Sequence, residues 1–418
     1  LAANLQKVQW EQLEEASGID RESIEELALL LKEDPRTFFR IGIGLSRNSR
    51  GAMSVRAITC LGLALGLMDG GEGRGMLLFS GAFSGNPAKL SFPELRQEDA
   101  RSVNMVQLGD ALTRLEPKIY GLFVYNSNPL SVAPEASLVK KGLEREELFT
   151  VVHEQLMTPT ARYADLILPA TTSFENSDLY TAYGHFTMGI TEPVIPPRGE
   201  AIDNPTLFQT LARKMGYSDP PFQQSTEERI RDYLSDMEGI PADIDVQSLA
   251  PGDYIRSSLV SQDRKAVSSA SFRFVSEGLA ADQHAIPSVL PLAEFDDMEI
   301  AKHFPLKLIT PPNGKLLNST FGERHRSERG TILIHPEDAS PRNIKEGDPV
   351  LVFNQRGSVV RTARVTDETQ PELVVAEGIY WEDPSRQIQG INELTSQRTT
   401  DLAGGGTFHE SRVEVNVV

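Results

Sequence analysis

Two short apolar runs, each cut off by charge or proline, constrain this chain most. Both lie in Glu147–Asp178, ELFTVVHEQLMTPTARYADLILPATTSFENSD. The first, Leu148 to Val152, stops at His153 and Glu154, and a Thr158-Pro159-Thr160-Ala161 turn follows. The second, Leu166-Ile167-Leu168, stops at Pro169 and gives way to Thr171, Thr172 and Glu175. Runs this short, bounded by turn chemistry, predict buried strands of a parallel sheet. In an open α/β sheet, ligands sit just beyond the carboxyl ends of the strands. His153, Glu154, Thr171 and Glu175 are the polar residues at such ends.

The rest of the chain extends this pattern. Trp10–Ala16 and Arg21–Lys32 predict amphipathic helices, the first closed by Gly18 and the second capped by Asp20. Phe38–Ile43 reads as a strand feeding the loop Gly44–Arg50, and Ala52–Met68 as a buried helix. The glycine loop Asp69–Gly75 lacks the full G-x-G-x-x-G spacing and reads as a helix terminator rather than a phosphate cradle. Ile119–Tyr125 is a strand ending in Asn126-Ser127-Asn128-Pro129. Pro205–Met215 and Ser225–Met237 are helices, and Ser225 with Glu228 fits a capping box. Residues 239–304 read as an irregular connection.

From Phe304 the character turns to β. Leu306–Ile309, Thr331–Ile334, Pro349–Asn354, Ser358–Thr366 and Leu373–Glu377 predict strands, with a hairpin turn at Gln355-Arg356-Gly357. Ile344 is expected to pack inward and Gly347-Asp348 to turn the chain. The fold class is therefore α/β: a Rossmann-like parallel-sheet region over 1–300, then a β domain over 301–418.

Composition narrows the function classes. A length of 418 residues suggests two to three domains. A formal net charge of −18 argues against nucleic acid or an anionic membrane as the main partner. Cys60 is the one cysteine, which excludes a disulfide framework and a cysteine-held zinc or iron–sulfur cluster within this chain. Flanked by Thr59 and Leu61, it reads as a core residue. The longest apolar stretch, Ala57 to Met68, is too short to span a bilayer, so no membrane segment is expected. No signal peptide is visible; a cytoplasmic location is expected, with the periplasm left open because the chain begins at Leu1. There is no H-E-x-x-H, Walker loop or G-x-S-x-G elbow.

Several segments carry groups suited to a large polar ligand. Arg40–Gly51, RIGIGLSRNSRG, is a strand feeding a loop whose arginines can reach phosphates or a reactive centre. The asparagines before Pro129 offer donors and acceptors, and Pro129 should keep that loop extended. A carboxylate such as Glu154 can accept from the N1 and exocyclic amine of guanine. Glu175 reads equally as a structural residue bonding backbone amides. Asp203 and Asn204 could face a ligand or cap a helix. Asn318-Ser319-Thr320 is also a glycosylation sequon, but nothing else points to secretion.

These segments together resemble the molybdenum enzymes of the dimethyl sulfoxide reductase family, whose metal is held by two molybdopterin guanine dinucleotides. The resemblance extends over most of the chain. HPEDASPRNIKEGDPVLVFNQRGSVVRTARV is similar to the six-stranded double-psi β-barrel that closes those enzymes. The resemblance implies that Arg47 lies nearest the metal and serves in catalysis, with Ile43 beside the cofactor. It implies dinucleotide contacts from Asn128, His153, Glu154, Asn204 (or Asp203), Thr310, Asn318, Ser319 and Thr320. In GINELTSQRTTDLAGGGTFH, where Leu394-Thr395, Asp401 and Phe408 also match the family's closing motif, Asn392 would bond the pterin. His409 would stand where relatives often carry lysine. Two departures stand out. Asn176 replaces a frequent lysine after Phe174-Glu175, and Pro311-Pro312 replaces a glycine–arginine pair, leaving Lys315 as the substitute phosphate cation.

The implied function is the C-terminal portion of a molybdenum bis-molybdopterin guanine dinucleotide oxidoreductase performing two-electron redox or oxygen-atom transfer. The family's metal ligand lies upstream of the Arg40–Gly51 loop, so this chain alone is expected to be inactive. An iron–sulfur cluster would also lie upstream and not in this chain. The expected partners are a small-molecule substrate and a redox partner protein. Two alternatives stand beside this. One is a non-catalytic relative, such as the large electron-transfer subunit of respiratory complex I. The other is a nucleotide-binding α/β protein unrelated to molybdenum.

Overall fold

The computed structural model describes residues 5–418 apart from 35, 69–73, 78–82, 97–99, 182–184, 259–273, 277, 278 and 280–285. Most of the expected glycine loop Asp69–Gly75 therefore lies outside the described residues. The chain forms two compact units. Leu1–Phe79, Asp263–Asp296 and Thr399–Thr407 make the first; Ser80–Gln262, Asp297–Arg398 and Phe408–Val418 make the second.

In the first unit, the helix Trp10–Ser17 ends at left-handed Gly18 (φ 69°), and Arg21–Glu33 starts where Asp20 accepts from the Ser23 amide. Strands β1 (Phe38–Arg40) and β2 (Gly75–Leu77) pair in parallel. The expected strand Phe38–Ile43 stops three residues early because Ile43–Arg47 winds into a 3-10 turn. The next helix, Gly51–Ala64, also ends short of Met68, with Gly66 left-handed at φ 70° just beyond it. It buries Met53 and Cys60 but exposes Leu61, so it is two-faced rather than wholly buried.

Among the described residues, the second unit holds three sheets. Strands β3 (Gly121–Tyr125), β4 (Phe149–Glu154) and β5 (Leu166–Pro169) run parallel in that order, with Val124, Val152 and Ile167 in register. Helices Leu108–Arg114 and Ala136–Leu143 cover one face through Leu112, Val139 and Leu143. They pack so closely that a Cβ on Gly142 would lie 2.4 Å from that of Leu112. On the other face, Phe208 of the helix Asn204–Lys214 sets its ring 4.8 Å from Tyr125 and 5.4 Å from Phe123. The parallel pairing agrees with the sequence expectation, but β5 is not buried. It is the edge strand, and Leu166 and Ile167 are 44% and 40% exposed.

A second sheet was not foreseen. Strands β6 (Asp178–Tyr180), β7 (Thr187–Thr191) and β8 (Tyr254–Arg256) are antiparallel. They bury Met188 and Ile255 against Ile230 and Leu234 of the helix Thr226–Leu234, whose Ser225–Glu228 capping box forms as expected. Residues 239–304 are thus not wholly irregular: they supply β8 and the short helix Met298–His303.

The third sheet is a closed barrel of β9 (Leu306–Ile309), β10 (Thr331–Ile334), β11 (Pro349–Phe353), β12 (Ser358–Val365), β13 (Leu373–Val375) and β14 (Ser411–Val417). Its order is β10-β12-β11-β14-β9-β13. Period-2 alternation sends Leu306, Leu308, Ile332, Ile334, Val350, Val352, Val413 and Val415 inward, none more than 1% exposed. Ile344 joins this core, and left-handed Gly347 (φ 82°) turns the chain. β14 is the one barrel strand the sequence reading missed. Among the described residues, no helix is long and apolar enough to cross a membrane.

Candidate functional site

Strands β3 and β4 end side by side, with Tyr125 opposite His153. After Tyr125 the chain turns at left-handed Asn126 (φ 51°). His153 is buried, its Nδ1 3.0 Å from Asn204 Oδ1 and its Nε2 3.1 Å from the Ile202 carbonyl. Asn204 Nδ2 in turn donates to Asn126 Oδ1 at 3.1 Å. The helix cap is Asp203, which accepts from the Thr206 amide at 2.7 Å. Asn204 is thereby left at the first helical position, facing the strand ends. Glu154 closes β4; its Oε1 accepts from the Gln155 amide, and burial pushes its carboxyl above the usual range. The sheet end thus gathers a half-buried carboxyl, two linked amides and the imidazole beneath them.

Asn128 and Asn392, candidates from distant segments, also come together, but inward. Asn128 Oδ1 accepts from the Thr160 hydroxyl (2.7 Å) and amide (3.3 Å), and its Nδ2 donates to Ser131 Oγ (3.0 Å). Asn392 Nδ2 donates to the Ser131 carbonyl (2.8 Å), and its Oδ1 accepts from Thr395 Oγ1 (3.0 Å). Both residues are buried, at 5% and 2% exposure, and these internal bonds engage both ends of each amide. Pro129 does not extend this loop. It opens the helical turn Pro129–Val132, where its fixed φ suits the first position. Glu135 completes the join: its amide donates to the Thr395 carbonyl, and its carboxylate accepts from Gln397.

The Thr310 loop meets the end of the chain. The Thr310 amide donates to His409 Nδ1 at 3.3 Å and its hydroxyl to the Phe408 carbonyl at 2.8 Å. Asn318 (φ 51°) and Thr320 are exposed, and the Ser319 carbonyl accepts from Trp381 Nε1. Lys315 is engaged, 2.8 Å from Glu328 Oε2, and that bond raises its pKa. A cavity of about 590 Å³ opens here, lined by residues including Asn313, Lys315, Arg329, Thr331 and Tyr380.

Arg47 and Ile43 lie in the first unit and the other candidates in the second. Arg47 ends the 3-10 turn, and Ile43, at its start, is half exposed. Glu175 takes the structural role: it accepts from the Thr172 and Arg198 amides, at 2.7 and 2.8 Å, and the Thr172 bonds lead in holding its pKa down. Thr171 bonds Asn176 at 3.1 Å. Ser131, Thr160 and Glu135 were missed as parts of the site; only their nearness to Asn128 and the Thr158–Ala161 turn hinted at them. Among the described residues, no three His, Cys, Asp or Glu side chains converge to hold a metal.

Comparison with known proteins bears on this geometry. The family model described as Molybdopterin oxidoreductase matches residues 5–214, and that described as Molydopterin dinucleotide binding domain matches 306–412. The Bacillus subtilis (strain 168) protein named Probable oxidoreductase YoaE is 36% identical over 418 residues, covering 98% of this chain and 60% of that protein. Dimethyl sulfoxide reductase DmsA of Escherichia coli (strain K12) is 26% identical, covering 96% of this chain and 56% of itself. Trimethylamine-N-oxide reductase of Haemophilus influenzae is 26% identical, covering 64% of this chain and 36% of itself. The chain therefore spans at most three-fifths of these relatives. Among solved structures, Acetylene Hydratase from Pelobacter acetylenicus shares the fold, with TM-score 0.59 and 17% identity over 76% of this chain and 47% of that one.

Proposed function

The chain belongs to the molybdopterin oxidoreductase family, and on that premise we propose that it is the C-terminal portion of a molybdenum oxidoreductase. In this reading it helps bind two molybdopterin guanine dinucleotides for two-electron redox or oxygen-atom transfer. The observation that carries the proposal is the polar cluster at the carboxyl ends of β3 and β4, inside the span of the oxidoreductase family model. The donor set fits the cofactor. Glu154 presents a carboxyl suited to a guanine edge. Asn126 and Asn204 present linked amides, and exposed Asn318 and Thr320 present an amide and a hydroxyl.

The bound cofactor would supply the redox-active metal; the protein supplies orientation and electrostatics. Glu154, Asn204, Asn318, Ser319 and Thr320 hold the dinucleotides by direct hydrogen bonds, and Thr310 with His409 shapes their loop. Asn128, Asn392 and His153 act from behind, fixing the backbone that carries those contacts. Arg47 orients the oxygen-bearing group of a small-molecule substrate through charge-assisted hydrogen bonds, and Ile43 packs beside it. A redox partner protein delivers or removes the electrons.

The test is to purify the full-length protein and measure molybdenum, together with the GMP released by acid hydrolysis. About two GMP per molybdenum supports the proposal. Because relatives are named for dimethyl sulfoxide and trimethylamine N-oxide, reduced-viologen oxidation by both compounds is the first activity assay. Protein that binds neither molybdenum nor a guanine nucleotide would refute it.

A further inference from the structure

The helix Gly51–Ala64 starts without a cap of its own. Arg50 stands at its N-cap position and offers no side-chain bond to the first turn. Arginine is a poor cap, and the leading amides of a helix need acceptors. They find one far along the chain. Asp401 Oδ1 accepts from the Ala52 amide at 3.0 Å, and its Oδ2 accepts from the Met53 amide at 3.2 Å. A carboxylate spanning two amides at the positive end of a helix is both a cap and a charge match. Asp401 lies within the stretch matched by the dinucleotide-binding family model, yet residues 399–407 pack with the first unit.

The clamped helix start is pressed onto the turn that carries Arg47. A Cβ on Gly51 would lie 2.6 Å from Ser46 Cα and 2.7 Å from the Leu45 carbonyl oxygen. The Gly51 amide donates to the Asn48 carbonyl at 3.2 Å, and Asn48 Nδ2 donates back to the Leu45 carbonyl at 3.0 Å. A shift in the first helical turn therefore bears directly on Leu45–Asn48.

We infer that Asp401 is a positioning residue for Arg47, acting by clamping the first turn of the helix that follows the Arg47 loop. The inference rests on the role given to Arg47 above, but the clamp itself does not. Asp401 touches neither substrate nor metal in this account. It fixes the backbone from which Arg47 reaches.

The experiment uses the full-length protein as wild type, D401A and D401N. Hydrogen exchange is followed across residues 45–56, with molybdenum content, steady-state kinetics and the Mo(V) electron paramagnetic resonance signal. In D401A the Ala52 and Met53 amides should exchange about 3- to 30-fold faster, the range of a lost N-cap. Molybdenum content should hold, kcat should fall about 10- to 100-fold with little change in KM, and the Mo(V) signal should shift. D401N keeps one acceptor oxygen and should recover part of each effect; it also carries the test if D401A fails to accumulate. Unchanged exchange would overturn the clamp. Faster exchange with wild-type kcat and Mo(V) signal would reduce Asp401 to a structural cap and overturn the positioning role. If the wild type binds no molybdenum, the functional reading fails with the role of Arg47, and the exchange arm alone decides the clamp.

Discussion

The barrel and the parallel sheet of the second unit bury their residues differently. Each barrel strand is paired on both sides, and polar side chains at the strand ends are drawn into internal bonds. Asn354 Nδ2, for example, donates to the Leu394 and Arg412 carbonyls at 2.9 and 3.1 Å. The sheet β3-β4-β5 is open. It has an exposed edge at β5, and its strands end in Asn126, His153 and Glu154. Closure removes edges and consumes hydrogen-bonding groups; an open parallel sheet leaves them gathered at one end. The contrast teaches where to look for ligand contacts, and it separates residues that touch a ligand from residues that hold the contacts in place.

Substitutions can break this contrast or sharpen it. The largest effect is expected for Leu308→Ala in the barrel core, a loss of about 2–5 kcal/mol, against less than about 1 kcal/mol for Ile167→Ala on the exposed edge. Urea unfolding measures both, and equal losses would end the distinction. Next comes Glu382, a buried carboxyl beside the barrel whose pKa burial pushes up to about 7 from 4.5, with Lys140 opposing and Glu393 adding to the rise. The folded state holds this proton more tightly than the unfolded chain. Stability therefore falls as pH rises from about 4.5 to about 7 and is level above that. Glu382→Gln should stabilise by up to about 3 kcal/mol at pH 8 and by almost nothing at pH 4, read from unfolding at both pH values.

Asn392→Ala should cost about 1–3 kcal/mol, because it strands the Ser131 carbonyl and leaves the Thr395 hydroxyl only its 3.3 Å bond to the backbone carbonyl of residue 392, and should lower molybdenum content as a consequence. Exposed Thr320→Ala should leave stability within about 0.5 kcal/mol yet also lower molybdenum content. Unfolding curves beside metal analysis of the two variants test whether holding and touching are separable. Last, Asp203→Ala removes one helix cap and should cost about 1 kcal/mol of stability alone. A thermal melt at matched concentration suffices to see it.

Legibility in the sequence followed the range of the interaction that decides each feature. Five barrel strands, the β4–β5 pair and the Ser225–Glu228 capping box rest on local alternation or spacing, and the sequence announces them. β6, β7 and β8 are three to five residues long and pair across stretches as distant as Thr187 to Arg256, so no window of sequence contains their reason for forming. The edge position of β5 was hidden for the same reason: an apolar run does not say how many neighbours it will have. At the site, Glu175 could be read two ways from its own segment. The bonds to Thr172 and Arg198 decide for structure. The asparagines were harder. An amide bonds a ligand or a serine with the same groups, and no local pattern shows Ser131 standing between Asn128 and Asn392.

Asp401 also has a consequence in time. It stands 349 positions after the amide it caps. At about 5–20 residues per second, a ribosome delivers it roughly 20–70 s after the helix has left the tunnel. Throughout that interval the Ala52 and Met53 amides have only water in place of Asp401. The nascent first unit waits, open to proteases and chaperones, until residue 401 has been made. Residues 399–407 thus complete the first unit late in synthesis. A product that terminates before residue 399 would carry an intact helix sequence and an unfinished unit, and quality control would have that unit to recognise.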